Sequence, residues 1–188
     1  MYSDWDELEK ACLSCRKCDL CAGRTHVVFG AGNRKARVLF IGEGPGEQED
    51  LQGKPFVGRS GQLLDKMLDA VDLDRGKNIY IGNIIKCRPP KNRDPLPEEQ
   101  EVCIGWLQNQ IALLHPKIIV CLGRIAAMQL IRPDFKITRE HGHFFEKDGV
   151  LRMATLHPAA LLRNPHNKPA AFEDFIRLRE KMDELGLQ

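Results

Sequence analysis

No apolar stretch in the chain approaches the roughly 18 residues that a membrane-spanning helix needs. Its first residues, Met1-Tyr2-Ser3-Asp4-Trp5-Asp6, lack the basic-then-apolar pattern of a signal peptide. A cytoplasmic protein with no membrane partner is therefore expected. An excess of charge is missing too: 28 basic residues against 26 acidic ones leave a net +2, so a nucleic-acid partner would have to be held by a local basic surface. The usual phosphate-binding signatures fail as well. The glycine-rich turn Gly42-Glu43-Gly44-Pro45-Gly46-Glu47-Gln48-Glu49-Asp50 follows the apolar run Val38–Ile41, a context that often cradles phosphate on bare backbone N–H groups. No Gly-Lys-Ser/Thr follows it, however, and position 47, where the dinucleotide fingerprint places its third glycine, is a glutamate. Glu43, Glu47, Glu49 and Asp50 would repel a phosphate. The turn is better suited to bringing backbone amides and an acid against an uncharged polar ligand or a water molecule.

What is present is enough for one well-buried core, and at 188 residues a single domain over 1–188 is expected. Four short apolar runs read as strands: Val38 to Ile41, Ile79 to Ile84, Ile118 to Leu122 and Val150 to Thr155. Segments with helical spacing alternate with them, from Gln62 to Leu73, from Pro97 through Leu114, from Arg124 to Ile131 and from Ala170 to Leu185. Proline at position 97 followed by two glutamates favours a helix start, since proline has no N–H to orphan and acids suit the positive end of the dipole. Such alternation implies an α/β fold with a mainly parallel four-stranded sheet covered on both faces. The segment before the first of these elements reads as loop-like around its cysteines and needs some other force to order it.

Seven cysteines in a chain without an export signal point to metal ligands or buried thiols rather than disulfides. Cys121 lies inside an apolar run and reads as core. Cys12, Cys15, Cys18 and Cys21 recur every third residue, which could be a helical stripe, although the stretch is dense in Arg and Lys. Combined with the distant Cys87 and Cys103, the set departs from the paired spacing of four-thiolate zinc sites. Iron–sulfur ligation tolerates such uneven loops, so a [4Fe–4S] cluster is favoured over zinc. Spacing alone does not choose which of the first four cysteines are ligands.

Open α/β sheets bind ligands at the carboxyl ends of their strands. Those ends carry Gly42 to Gly46, Asn83, Gly123-Arg124 and His157, with Phe56 in the nearby Pro55-Phe56-Val57-Gly58 loop. Taken singly, His157 would be a structural hydrogen-bonder, Asn83 a turn residue and Phe56 core. Their convergence on one sheet edge favours a catalytic or ligand-reading role for His157. Two basic runs, Lys86, Arg88, Lys91, Arg93 and Arg163, His166, Lys168, flank the same edge and suit contacts to backbone phosphates.

Gly-Glu-Gly-Pro-Gly with Glu49-Asp50, Gly53-Lys54-Pro55-Phe56-Val57-Gly58, Asn83-Ile84-Ile85-Lys86-Cys87-Arg88-Pro89-Pro90 and His157-Pro158-Ala159-Ala160-Leu161-Leu162-Arg163 together resemble a family 4 uracil-DNA glycosylase, over about Cys15 to Asn164. The resemblance implies a three-layer α/β/α sandwich, a structural [4Fe–4S] cluster that packs the segment of about 10–25 onto the domain, and hydrolytic removal of uracil from single- or double-stranded DNA by a monomer. The family's N-terminal ligand pair is a C-x-x-C whose second cysteine stands five residues before Gly-Arg-Thr. Gly23-Arg24-Thr25 thus selects Cys15 and Cys18, with Cys87 and Cys103 completing the set. Cys12 and Cys21 are additional to that pattern. By the same resemblance, Phe56 stacks on the flipped base, Asn83 bonds its N3–H and O4, the Gly44 amide and His157 hold O2, and Glu43 or Glu49 handles the water. Leu161-Leu162-Arg163 approaches the minor groove, with Leu162 as wedge and Arg163 and Lys86 on phosphate. A related group that crosslinks to uracil-DNA carries a histidine on a basic insertion near Arg88 to Arg93. Pro89-Pro90-Lys91-Asn92-Arg93-Asp94 has none, which implies turnover.

Two other classes fit parts of the sequence. An electron-transfer protein would use the cluster and not need His157, whereas a non-catalytic nucleic-acid binding module would keep the fold without the chemistry.

Overall fold

The computed structural model describes residues 1–188. The chain runs through α1 (Trp5–Leu13), α2 (Leu20–Gly23), β1 (Ala31–Gly32), β2 (Val38–Gly42), α3 (Glu47–Gln52), α4 (Arg59–Asp69), β3 (Ile79–Asn83), α5 (Pro97–Leu114), β4 (Ile118–Leu122), α6 (Arg124–Leu130), α7 (Ile137–Glu140), β5 (Phe144–Lys147), β6 (Val150–Thr155), α8 (Pro158–Arg163) and α9 (Lys168–Glu184). All four expected strands form, as β2, β3, β4 and β6, and they are parallel neighbours in the order β3-β2-β4-β6. The sheet nonetheless has six strands rather than four. β1 pairs antiparallel with β3 and β5 pairs antiparallel with β6, one at each edge. Neither extra strand is a continuous apolar run: β1 has two residues, and the last two of β5, Glu146 and Lys147, are exposed.

Side chains alternate across the sheet and build a core on each face. Leu39, Ile41, Ile119 and Cys121 pack on one side with Leu8, Cys12, Leu107 and Ala127 of α1, α5 and α6. Val38, Phe40, Val120 and Leu122 pack on the other with Leu64, Leu161, Phe175 and Leu178 of α4, α8 and α9. The result is the three-layer sandwich, with Cys121 wholly buried as a core residue.

The N-terminal segment is more regular than a loop. Asp4 caps α1 by accepting from the N–H groups of Asp6 and Glu7, and the helix buries Leu8 and Cys12 on one face. α1 ends before Cys15, so the cysteine set does not form one continuous helical stripe. The segment is then bolted to the rest of the chain through Asp50, whose buried carboxylate accepts from the N–H of Thr25 at 2.8 Å and of His26 at 3.3 Å. α5 begins as expected at Pro97, and Glu99 reaches back to the Leu96 N–H at 2.8 Å.

Chain order reverses direction across the sheet at β2, since β3 lies on one side of it and β4 on the other. The crevice at such a switch point opens at the strands' carboxyl ends, and here the residues after β2 and β4 face each other across it.

Candidate active site

A cavity of about 710 Å³ occupies this crevice. Glu43 and Gly44 enter it from the end of β2, Asn83 from the end of β3, Arg124 from the start of α6, and His157 from the end of β6. Backbone bonds from Ile84 N–H to Gly42 O and from Ile85 N–H to Glu43 O continue the β2–β3 pairing past the strands and hold the Glu43 backbone in place.

Phe56 and Asn83 share the floor. Phe56 has a left-handed backbone, φ 51°, a conformation that a bulky residue holds only when its surroundings compel it. Arg75 supplies the constraint: its guanidinium donates to Pro55 O and Phe56 O at 2.6 Å each, while its Nε pairs with Asp65 at 2.8 Å. Gly61 completes the clamp, since a Cβ there would fall 2.0 Å from Phe56 O. Gly42 is equally constrained by its neighbours. A Cβ on it would lie 2.5 Å from Phe56 Cζ and 2.6 Å from Asn83 Oδ1. Asn83 is buried, and its Oδ1 has no hydrogen-bond donor. A buried acceptor left without a partner costs on the order of 1–3 kcal/mol.

His157 stands against Phe56, ring centroids 5.7 Å apart. Burial, reinforced by the charge of Arg163, pushes its pKa down to about 4, so the imidazole is neutral. Its Nδ1 accepts the Ala159 N–H at 3.0 Å, which leaves the ring proton on Nε2.

The two glutamates differ. Burial and the adjacent carboxylate of Asp94 push Glu43 up to about 7, against the lowering influence of Arg124 and Arg163. Glu49 lies on α3, is buried, and its Oε1 accepts the Gly58 N–H at 3.4 Å, which links α3 to the start of α4. Both line the cavity.

The match of residues 29–178 to the uracil DNA glycosylase superfamily covers most of the chain. Similarity extends further in individual proteins. The type-4 uracil-DNA glycosylase of Archaeoglobus fulgidus is 44% identical over 183 residues, covering 93% of this chain and 92% of its own length. The chain belongs to the type-4 uracil-DNA glycosylases. Namesakes in Sulfurisphaera tokodaii, at 40% identity over 185 residues (93% of this chain, 83% of that one), and Thermotoga maritima, at 44% over 156 (82% and 81%), agree.

Against this type-4 glycosylase frame, the structure gathers Glu43, Gly44, Glu49, Phe56, Asn83, His157, Leu162 and Arg163 around the one cavity. Two residues expected at DNA depart from expectation. Lys86 is 1% exposed: its ammonium donates to Gln110 Oε1 at 2.7 Å and to Asn83 O at 3.1 Å, so it braces the Asn83 backbone from behind and does not face phosphate. Leu161 is wholly buried in the core on the α4 side of the sheet, leaving the half-buried Leu162 and the exposed Arg163 of that motif nearer solvent. Asp94, Arg124 and Arg75 carry roles at the site that the sequence reading did not give them. Only Arg124 had a sequence signal, its position after the third apolar run.

A second, small apolar cavity is lined by Cys15, Cys18, Cys21, Cys87 and Cys103 together with Leu20 and Trp106. Cys12 is not among its walls and lies in the core. Two donors already face these sulfurs. The Arg24 guanidinium lies 3.5 Å from Cys87 Sγ while also holding Cys15 O at 2.6 Å, and the Lys86 N–H lies 3.3 Å from Cys103 Sγ.

Proposed function

We propose that the chain turns uracil out of DNA into the cavity between β2 and β4 and hydrolyses its N-glycosidic bond, leaving an abasic site. The observation that carries this reading is the unpartnered Asn83 Oδ1, buried beside Phe56. Uracil N3–H is the donor this acceptor lacks, and the carboxamide N–H of Asn83 then serves uracil O4. Cytosine offers an acceptor at N3 and a donor at N4, the opposite pattern, and would leave both ends of Asn83 unsatisfied. Phe56 stacks on the extruded ring, which offsets part of the few kcal/mol that unstacking costs.

As the C1′–N1 bond breaks, its electron pair passes to uracil and negative charge grows at O2. His157 Nε2–H donates there as a neutral imidazole, which stabilises the anion without a net charge of its own, an effect of a few kcal/mol. Glu43 is the base: in its carboxylate form it takes a proton from the water whose oxygen bonds to C1′, and its charge offsets the developing positive charge on the sugar. A carboxyl that titrates near neutrality suits this better than Glu49, one of whose oxygens already accepts from Gly58. Leu162 fills the gap left in the stack and Arg163 meets a phosphate.

The cysteine cavity suits a [4Fe–4S] cluster held by Cys15, Cys18, Cys87 and Cys103. Five thiols share its walls, more than any other stretch of the surface brings together. Donors at Cys87 and Cys103 match the partial negative charge of ligated sulfur. Bound there, the cluster supplies cross-links between the α1–α2 segment, the β3–α5 connection and α5, and no chemistry at the base.

The test is incubation of anaerobically purified protein with a labelled oligonucleotide holding one uracil, followed by alkali, alongside His157→Ala. Strand cleavage that the variant loses is the expected result. Absence of cleavage on both single-stranded and duplex DNA would overturn the reading.

A further inference from the structure

The cysteine cavity brings five thiols to its walls, one more than the set assigned to the cluster uses. We propose that Cys21 is a reserve ligand of that cluster, placed to bond iron when Cys18 leaves it. The inference rests on the cluster reading above and is independent of the chemistry at the base.

Of the seven cysteines, only Cys21 is left in this position. Cys121 in β4 and Cys12 in α1 are wholly buried in the core, and neither lines the cavity. Cys87 and Cys103 are each faced by a donor from outside the N-terminal segment or its far end: Arg24 Nη1 lies 3.5 Å from Cys87 Sγ, and the Lys86 N–H lies 3.3 Å from Cys103 Sγ.

Cys15, Cys18 and Cys21 arrive together on one short stretch that is anchored at both ends. Leu8 and Cys12 of α1 and Leu20 of α2 are buried in the same core, and Arg24 Nη1 also donates to Cys15 O at 2.6 Å. Between these anchors the backbone folds in single turns, with the Cys15 N–H on Cys12 O at 3.0 Å and the Cys21 N–H on Cys18 O at 3.2 Å. Such a turn brings side chains three residues apart to the same side, and Cys18 and Cys21 do line the same wall. Cys18 is only half-buried, so it is open to reagents that oxidise or alkylate a thiol.

Spacing points the same way. Cys15, Cys18 and Cys21 form a C-x-x-C-x-x-C run, by which one short segment can present three thiolates to a single [4Fe–4S] cluster. A set of Cys15, Cys21, Cys87 and Cys103 keeps the four-thiolate charge of the set that contains Cys18. The exchange needs no oxidant or reductant. Cys21 gives up its thiol proton as its sulfur bonds iron, and the Cys18 sulfur released from that iron takes a proton up.

The experiment measures iron and acid-labile sulfide per chain, with electron paramagnetic resonance, in anaerobically purified wild-type protein, Cys18→Ala, Cys21→Ala and the double variant. Cys18→Ala is expected to keep a wild-type iron content that the double variant loses. Iodoacetamide should alkylate Cys21 in the wild-type protein and leave it protected in Cys18→Ala. Iron loss in Cys18→Ala equal to that in the double variant, or a three-iron cluster signal in Cys18→Ala, would overturn the role of Cys21. Should Cys18→Ala not fold, wild type against Cys21→Ala decides the matter. Iron release to a chelator is expected to be several-fold faster without Cys21, because recapture is lost, and equal rates would overturn the proposal. A wild-type chain that excises uracil but holds no iron would overturn the cluster reading and this one with it, leaving the glycosylase reading intact.

Discussion

The Ala159 backbone N–H donates to Nδ1 of His157 at 3.0 Å, which fixes the imidazole as a one-sided donor through Nε2. The same bond is the first turn of α8 capping itself on the histidine's side chain, so the Nε2–H tautomer and the start of the helix stand or fall together. His157→Gln keeps a side-chain donor and is expected to retain more activity than His157→Ala. The alanine variant should lose about 10²–10³ in single-turnover rate, the range for removing one donor to a developing oxyanion.

The neutral His157 and the protonation of Glu43 bend the stability curve in opposite directions. Folded His157 titrates near 4 and an unfolded histidine near 6.5, so the unfolded chain binds more protons in that window and stability is lost as pH falls through it. Folded Glu43 titrates near 7 against 4.5, so the folded chain binds the extra proton and stability is lost as pH rises from 4.5 to 7. Glu43→Gln is therefore expected to stabilise the protein at pH 8 by about 1–2 kcal/mol while abolishing most excision. Urea unfolding at pH 8 and at pH 4.5 checks this: the gain should vanish at the lower pH.

Gly42→Ala places a methyl group into both Phe56 and Asn83. Excision should fall by at least about tenfold, with a stability cost of about 1–3 kcal/mol. Because the damage lies at the cavity floor, it should appear in the rate on uracil while affinity for uracil-free DNA is unchanged.

Lys86 and Arg163 exchange roles in a simple comparison. Arg163→Ala should lower the slope of log K against log salt for DNA binding by about one and leave the fold alone. Lys86→Met removes the ammonium that braces Asn83 O and Gln110. It should leave the salt slope unchanged and destabilise the protein, a result readable from thermal melts beside the binding isotherms.

A chelator that strips the proposed cluster should lower the melting temperature and loosen the first 25 residues, and through Asp50 it should also reach α3 at the cavity. Hydrogen exchange at the Thr25 and His26 amides would register the change before activity does.

The parallel strands are legible in the sequence because strands buried on both faces are unbroken apolar runs, and most of the polar residues lining the cavity are legible because they sit where those runs stop. β1 and β5 escape notice because edge strands need no such run. Lys86 is misread for a different reason. Its basic neighbours, Arg88, Lys91 and Arg93, suggest a solvated stretch, and only Gln110, 24 residues away on α5, provides the partner that lets an ammonium be buried. Asp94 is hidden in the same way, since its partner Arg124 lies 30 residues after it. α1 left visible marks, an Asp4 cap and Leu8 and Cys12 four apart, that the cysteine spacing overshadowed.

The two antiparallel edge strands also bear on self-association. A sheet whose central strands are wholly apolar is a template for aggregation wherever a long flat edge is exposed. Here one edge carries a strand of two residues and the other a four-residue hairpin strand ending in the exposed Glu146 and Lys147, so each border offers a second molecule only a short pairing edge. Cutting the chain at the Asp148-Gly149 turn would release β5 and leave β6 as an open border. Fibrillar or amorphous deposition of a nicked enzyme would then begin at that border, a failure with its origin far from the catalytic crevice.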